Sequence, residues 1–142
     1  MAIKNVQLKV IKAERYSDFT GGPQKVRIDH NSNVVRMEIL SEEVTRVEFQ
    51  YTASYGPIGV IKIEGTMEYE GQQISSLVNE WRSNRKMPDN TASEIHTTIM
   101  HACVPLAVGI AKDLRLPPPI PLPQVRIGKN PQKKGESGPE VA

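Results

Sequence analysis

The sequence predicts an α+β protein: an antiparallel sheet of four strands, or slightly more, with two helices packed on one face. Two observations carry that prediction. Up to Tyr69, apolar residues recur at every second position, the period of strands wet on one side, and short turn-like stretches separate the runs. From Gly71 the spacing lengthens to the helical period, and a run of prolines then ends it. Short connections favour antiparallel neighbours, because parallel pairs need long crossovers.

The elements follow in order. In the first strand Val6, Leu8 and Val10 alternate with Gln7 and Lys9. Ser17 to Pro23 (SDFTGGP) is turn chemistry: two permissive glycines, then a proline. Val26 and Ile28 share a face, Asn31-Ser32-Asn33 reads as a tight turn or bulge, and Val35, Met37 and Ile39 resume the alternation. After Ser41-Glu42-Glu43 come Val47, Phe49, Tyr51 and Ala53; after a reversal at Tyr55–Gly59 come Ile61, Ile63, Gly65, Met67 and Tyr69. A glycine in mid-strand, Gly65, marks a bulge or a close backbone approach.

Ile74, Leu77, Val78 and Trp81 form the stripe of a first helix ending near Asn84, with Arg82, Arg85 and Lys86 at its C-terminal end, where cations offset the dipole. Met87-Pro88 stops it. Thr91 and Glu94 have the capping-box spacing for a longer second helix. Its buried stripe is Ile95, Ile99, Ala102/Cys103, Leu106, Ile110 and Leu114. Pro105 removes one helical hydrogen bond from this helix, so a bend is expected there. Pro117 to Pro123 can only be an extended arm, read as structural rather than as a ligand for proline-binding domains because it directly follows the buried helix. Residues 1–127 are read as one domain and 128–142 as a disordered polar and basic tail with almost no apolar content.

Composition narrows the function. The 142 residues carry a net charge of +2, too small to argue for nucleic acid by itself. One cysteine, Cys103, leaves no internal disulfide and fits a reducing cytoplasm. The N-terminus alternates instead of forming an apolar leader core, and the longest charge-poor run, Thr97 to Ala111, is short and holds a histidine and a proline, so no membrane insertion is expected.

No motif for catalysis stands out, and no enzyme is expected. His96 and His101 are one residue off the spacing that puts two metal ligands on one helix face, and His30 has no neighbour in sequence, so no metal or other cofactor is expected. Cys103 sits on the apolar stripe and reads as a small buried hydrophobe. There is no nucleophile elbow and no phosphate-binding glycine loop. Arg82, Arg85 and Lys86, with Lys129, Lys133 and Lys134 of the tail, are candidates for contact with phosphates, which keeps a ribosome- or RNA-associated role open.

Together, the order of elements and a few local signatures resemble the SecB family of export chaperones, over most of the chain from Ile3 to about Ile127. The resemblance lies in the glycine-bearing strand Val60–Tyr69 with Gly65 and Met67, in Cys103-x-Pro105 on the second helix, and in the apolar stretch Leu106 to Leu116 leaving through Pro117 to Pro121 into Leu122 to Val125. It implies a SecB-like fold and an ATP-independent chaperone that binds extended, unfolded or nascent polypeptides in the cytoplasm as a homo-oligomer, a dimer or tetramer. SecB proteins are strongly acidic, whereas the outer sheet face here mixes Arg36, Arg46 and Lys62 with Glu38, Glu48, Glu64 and Glu68. A general chaperone suits that face better than an export factor. The expected peptide groove lies between the long helix and the sheet, at Phe49, Tyr51, Trp81, Leu106, Ile110 and Leu122.

Overall fold

The computed structural model describes residues 2–18 and 26–120. Four strands, β1 (Ala2–Arg15), β2 (Asp29–Ser41), β3 (Val44–Ser54) and β4 (Gly59–Glu70), are followed by α1 (Ile74–Asn84) and α2 (Asp89–Asp113). All pairings are antiparallel, in the order β1-β4-β3-β2. β2, β3 and β4 make the expected meander. β1 lies at the far edge beside β4, so the connection from β1 to β2 crosses the whole sheet.

The alternation in β3 and β4 sorts their side chains cleanly. Val47, Phe49, Tyr51 and Ala53, with Ile61, Ile63, Met67 and Tyr69, are buried beneath the helices. Burying each large apolar side chain stabilises the fold by about 1.5–3 kcal/mol. α1 adds Ile74, Val78 and Trp81, and α2 adds Ile95, Ile99, Cys103, Ala107 and Ala111, each four residues after the last. A strict four-residue repeat drifts round a helix of 3.6 residues per turn, so α2 lies obliquely on the sheet.

The opposite face is a charge lattice. Lys4 and Glu70 are 3.0 Å apart, Arg46 and Glu38 2.9 Å, and Arg36 and Glu48 3.9 Å, while the Gln50 amide donates to Glu64. Acids and bases alternate across neighbouring strands, so this face largely neutralises itself.

Both edge strands are interrupted by bulges, and the two central strands pair with each other without one. In β1 the register slips between Lys4 and Gln7 and between Leu8 and Val10; in β2 it slips between Val34 and Arg36 and between Ile39 and Ser41. Bulges at edges discourage indiscriminate pairing with other chains. They also explain why Val6, Val35 and Leu40 are exposed, since each occupies an extra position with no place on the packed face. Gly65 is needed at the first slip. A Cβ there would lie 2.2 Å from the Gln7 carbonyl oxygen and 2.8 Å from the Phe49 ring, so the glycine admits the bulging backbone as its spacing suggests.

Several local expectations change. Asn31-Ser32-Asn33 is strand and not turn, because Asn31 and Asn33 fall on the solvent face opposite Thr52 and Gln50. The apolar alternation of β1 does not keep one face: Leu8 pairs with Gly65 on the helix side, but after the slip Val10 pairs with Glu64 on the charged side. Thr91 and Glu94 do not cap α2, which starts at Asp89. They lie inside it and meet the Tyr69 hydroxyl, at 3.1 and 3.5 Å. α2 spans Pro105 as one helix, as the stripe from Ile95 to Leu114 implies. Pro105 and His101 are both exposed, so water can reach the carbonyl that the proline leaves unpaired.

Candidate functional site

Phe49, Tyr51 and Trp81 are placed in the core, with 1%, 0% and 4% of their surface exposed. Leu106 and Ile110 are half-buried on one flank of α2, and Leu122 lies outside the described residues. The flank that holds them can be traced. Thr98, Ala102, Leu106 and Ile110 recur every four residues and so share a row. That row starts at Thr98, which lines a hollow of about 330 Å3 together with Ile3 of β1. The row therefore runs along the β1 side of the helix.

β1 faces that flank with apolar side chains that the described chain covers only in part. Leu8, opposite Gly65, is 37% exposed, and Ile11, opposite Ile63, is 51% exposed. Both point to the helix side of the sheet, where the central strands β3 and β4 are roofed and edge strand β2 leaves Ile39 38% exposed. Beyond its second bulge β1 pairs regularly from Val10 to Arg15, and its other edge has no neighbouring strand among the described residues. α2 has apolar surface to match: by length and composition alone it could cross a membrane, yet only 28% of its most apolar 18-residue window is buried. The seam between β1 and α2 joins two incompletely covered apolar faces beside an open backbone edge. Of the six residues read from the sequence as a groove, Phe49, Tyr51 and Trp81 fill the core and Leu106 and Ile110 lie on this flank, because periodicity identifies the face of a strand but not which strand is left at the edge.

The opposite edge is closed more firmly. The Arg82 guanidinium donates to the Met37 carbonyl of β2 at 3.0 Å. Arg85 lies over the Trp81 ring, 4.2 Å from its centroid, while its own N–H closes α1 onto the Trp81 carbonyl. Of the basic cluster, Arg82 and Arg85 each make one such contact and remain exposed. Lys86 lines a hollow of about 550 Å3 between α1 and the start of α2, with Tyr69, Leu77, Glu80, Met87 and Thr91. Lys129, Lys133 and Lys134 lie outside the described residues.

The polar groups that meet at the other end of the core were not anticipated. α2 gives way at Arg115, in the left-handed region at φ 57°, to Leu116 and Pro117–Ile120, which cross the end of the sheet. Arg15 Nη1 donates to the carbonyls of Leu114 (3.3 Å) and Arg115 (2.8 Å), and the Tyr55 hydroxyl donates to that of Pro117 (2.6 Å). His30 Nε2 bonds the Pro119 carbonyl. That oxygen can only accept, so Nε2 carries the proton and Nδ1 accepts from the Tyr51 hydroxyl, 3.0 Å away. Tyr51 is held protonated for this: burial, with Tyr55 and Cys103 nearby, pushes it up to about 12. Burial alone pushes Tyr55 up to about 12 and Cys103 up to about 11. At neutral pH the Cys103 thiol is therefore a packed neutral group and not a nucleophile. His96 is also committed, its Nδ1 2.5 Å from the Ser32 hydroxyl. Nothing in the sequence brings His30 to Pro119, and only the fold makes that contact legible.

No family model matches the chain, and no match was found among the curated proteins. Among solved structures, it is similar to the SecB-like chaperone Rv1957 of Mycobacterium tuberculosis, determined with a ChAD peptide from the Rv1956 HigA1 antitoxin. The superposition covers 88% of this chain and 87% of that one, at 13% identity and a TM-score of 0.48.

Proposed function

We propose that this protein is a SecB-like chaperone that holds extended, non-native polypeptide without using ATP, in the cytoplasm and as a homo-oligomer. The observation that supports this reading is the seam: Leu8 and Ile11 on an open edge strand, beside the half-covered Leu106 and Ile110 of α2. The likeness to a peptide-bound chaperone agrees in direction, but at its low score it adds no weight.

The seam suits an extended chain in two ways. A strand-like segment can take backbone hydrogen bonds from β1 between Val10 and Arg15, and its alternate side chains can settle between Ile11 and the α2 flank. Apolar contact with backbone pairing selects for extended shape and hydrophobicity, not for one sequence. A second copy of the chain competes for the same kind of surface, and partial cover of β1 in an oligomer is the natural way to keep the edge from aggregating.

The test is to heat-denature an unrelated client with the full chain at stoichiometric amounts and follow light scattering. Clear suppression in the absence of nucleotide is expected; an aggregation trace that the protein leaves unchanged would end the reading. A ribosome- or RNA-associated role is the second reading, resting on the exposed Arg82, Arg85 and Lys86 at the end of α1.

A further inference from the structure

The segment Leu116–Ile120 is held differently from the helices and strands of the described residues. It forms no helix or strand, and Pro117, Pro118 and Pro119 bring no N–H groups to it. Apart from the Leu116 N–H, which bonds back to the Ala111 carbonyl, the side chains that hold it read only what every polypeptide has, the carbonyl oxygens. Tyr55 and His30 take the carbonyls of Pro117 and Pro119, and Arg15 takes those of Leu114 and Arg115 just before the strap. The floor is aromatic, with Tyr51 and Tyr55 both fully buried, and Tyr51 fixes the His30 ring from beneath. An aromatic floor with hydroxyl and ring N–H donors is the chemistry that takes polyproline-like and other extended segments. Leu116 and Pro119 sink into this slot, while Pro118 and Ile120 stay exposed.

We propose that this slot is a receptor for extended, proline-bearing polypeptide, and that the chain's own strap is its resident occupant, which an incoming segment must displace. The inference rests on the reading of the protein as a polypeptide binder and adds a second, gated site to the seam. Exchange is close to balanced, since an incoming chain offers the same carbonyls to Tyr55 and His30 while Arg15 stays on Leu114 and Arg115. Two things keep the strap in place. Covalent attachment gives it a high effective concentration, and its three prolines leave it little conformational freedom to lose. Loosening the strap should therefore open the slot without altering the residues that line it.

The experiment uses a fluorescently labelled peptide with the sequence of residues 113–120 and the full-length protein. Anisotropy would be compared for the wild type, for P117G/P118G/P119G, and for P118G alone, which touches an exposed position and is the safer of the two for folding. Binding about tenfold tighter for the triple variant and about twofold tighter for the single one is expected. Adding Tyr55→Phe to either variant should change the peptide affinity by less than about twofold, because strap and peptide lose the same donor. The proposal is overturned if P118G, or the triple variant where circular dichroism shows it folded, binds the peptide no more tightly than the wild type. Client aggregation separates the two ideas. If loosened variants gain peptide affinity while no form restrains aggregation, the slot stands and the chaperone reading falls. If the wild type restrains aggregation but loosening gains nothing, the slot falls and the chaperone reading stands.

Discussion

Gly65 shows how closely one residue can bind edge and core together. Alanine there must push on the Gln7 carbonyl and the Phe49 ring at once, and only the second can move as a side chain. Gly65→Ala should cost about 1–3 kcal/mol in urea unfolding, the range for overpacking a tight site. The buried tyrosines set a second expectation. A tyrosine whose folded pKa is raised, from the ordinary 10.0 to about 12, prefers its neutral form in the folded state. Its contribution to stability is complete below pH 10 and is lost as pH rises from 10 to 12. Tyr51 and Tyr55 should thus ionise late in an ultraviolet titration, with unfolding in that same window. Cys103 should resist thiol reagents at pH 8 and react once denaturant is added, because burial both raises its pKa and hides it.

At the scale of elements, the parts most legible in the sequence were those where one period persists. β3, β4 and α1 could be read residue by residue, since Val47–Ala53, Ile61–Tyr69 and Ile74–Trp81 keep their spacing and all face one core. β1 and β2 resisted because their bulges change which face a residue takes: Val10 looks apolar-in by alternation yet pairs with Glu64. The strap resisted for another reason, that its partners Arg15, His30 and Tyr55 are distant in sequence and recorded in no local pattern. Pro105 was legible as a lost hydrogen bond, but the continuity of α2 through it depends on both Pro105 and His101 being exposed. Replacing Pro105 by alanine should restore that bond and raise stability by about 1–3 kcal/mol in chemical denaturation, somewhat less than the cost of a proline in a dry helix.

Across the whole molecule, the two faces of the sheet divide the work. The charged face contributes little to stability: its ion pairs are solvent-exposed, and Arg46→Ala should cost no more than about 1 kcal/mol in urea unfolding. The helix face holds the core, and where its cover runs out, at β1, it presents Leu8 and Ile11 to solvent. The central claim is that non-native chains settle in this seam. The most direct measurement places a photo-crosslinking side chain at position 106, on the α2 flank, and irradiates the full-length protein with an unfolded client. Adducts to the client are predicted from position 106 and far fewer from position 66, on the opposite face of the sheet beside Glu48. Equal client adducts from the two positions, or adducts from position 106 only to other copies of this chain, would contradict it.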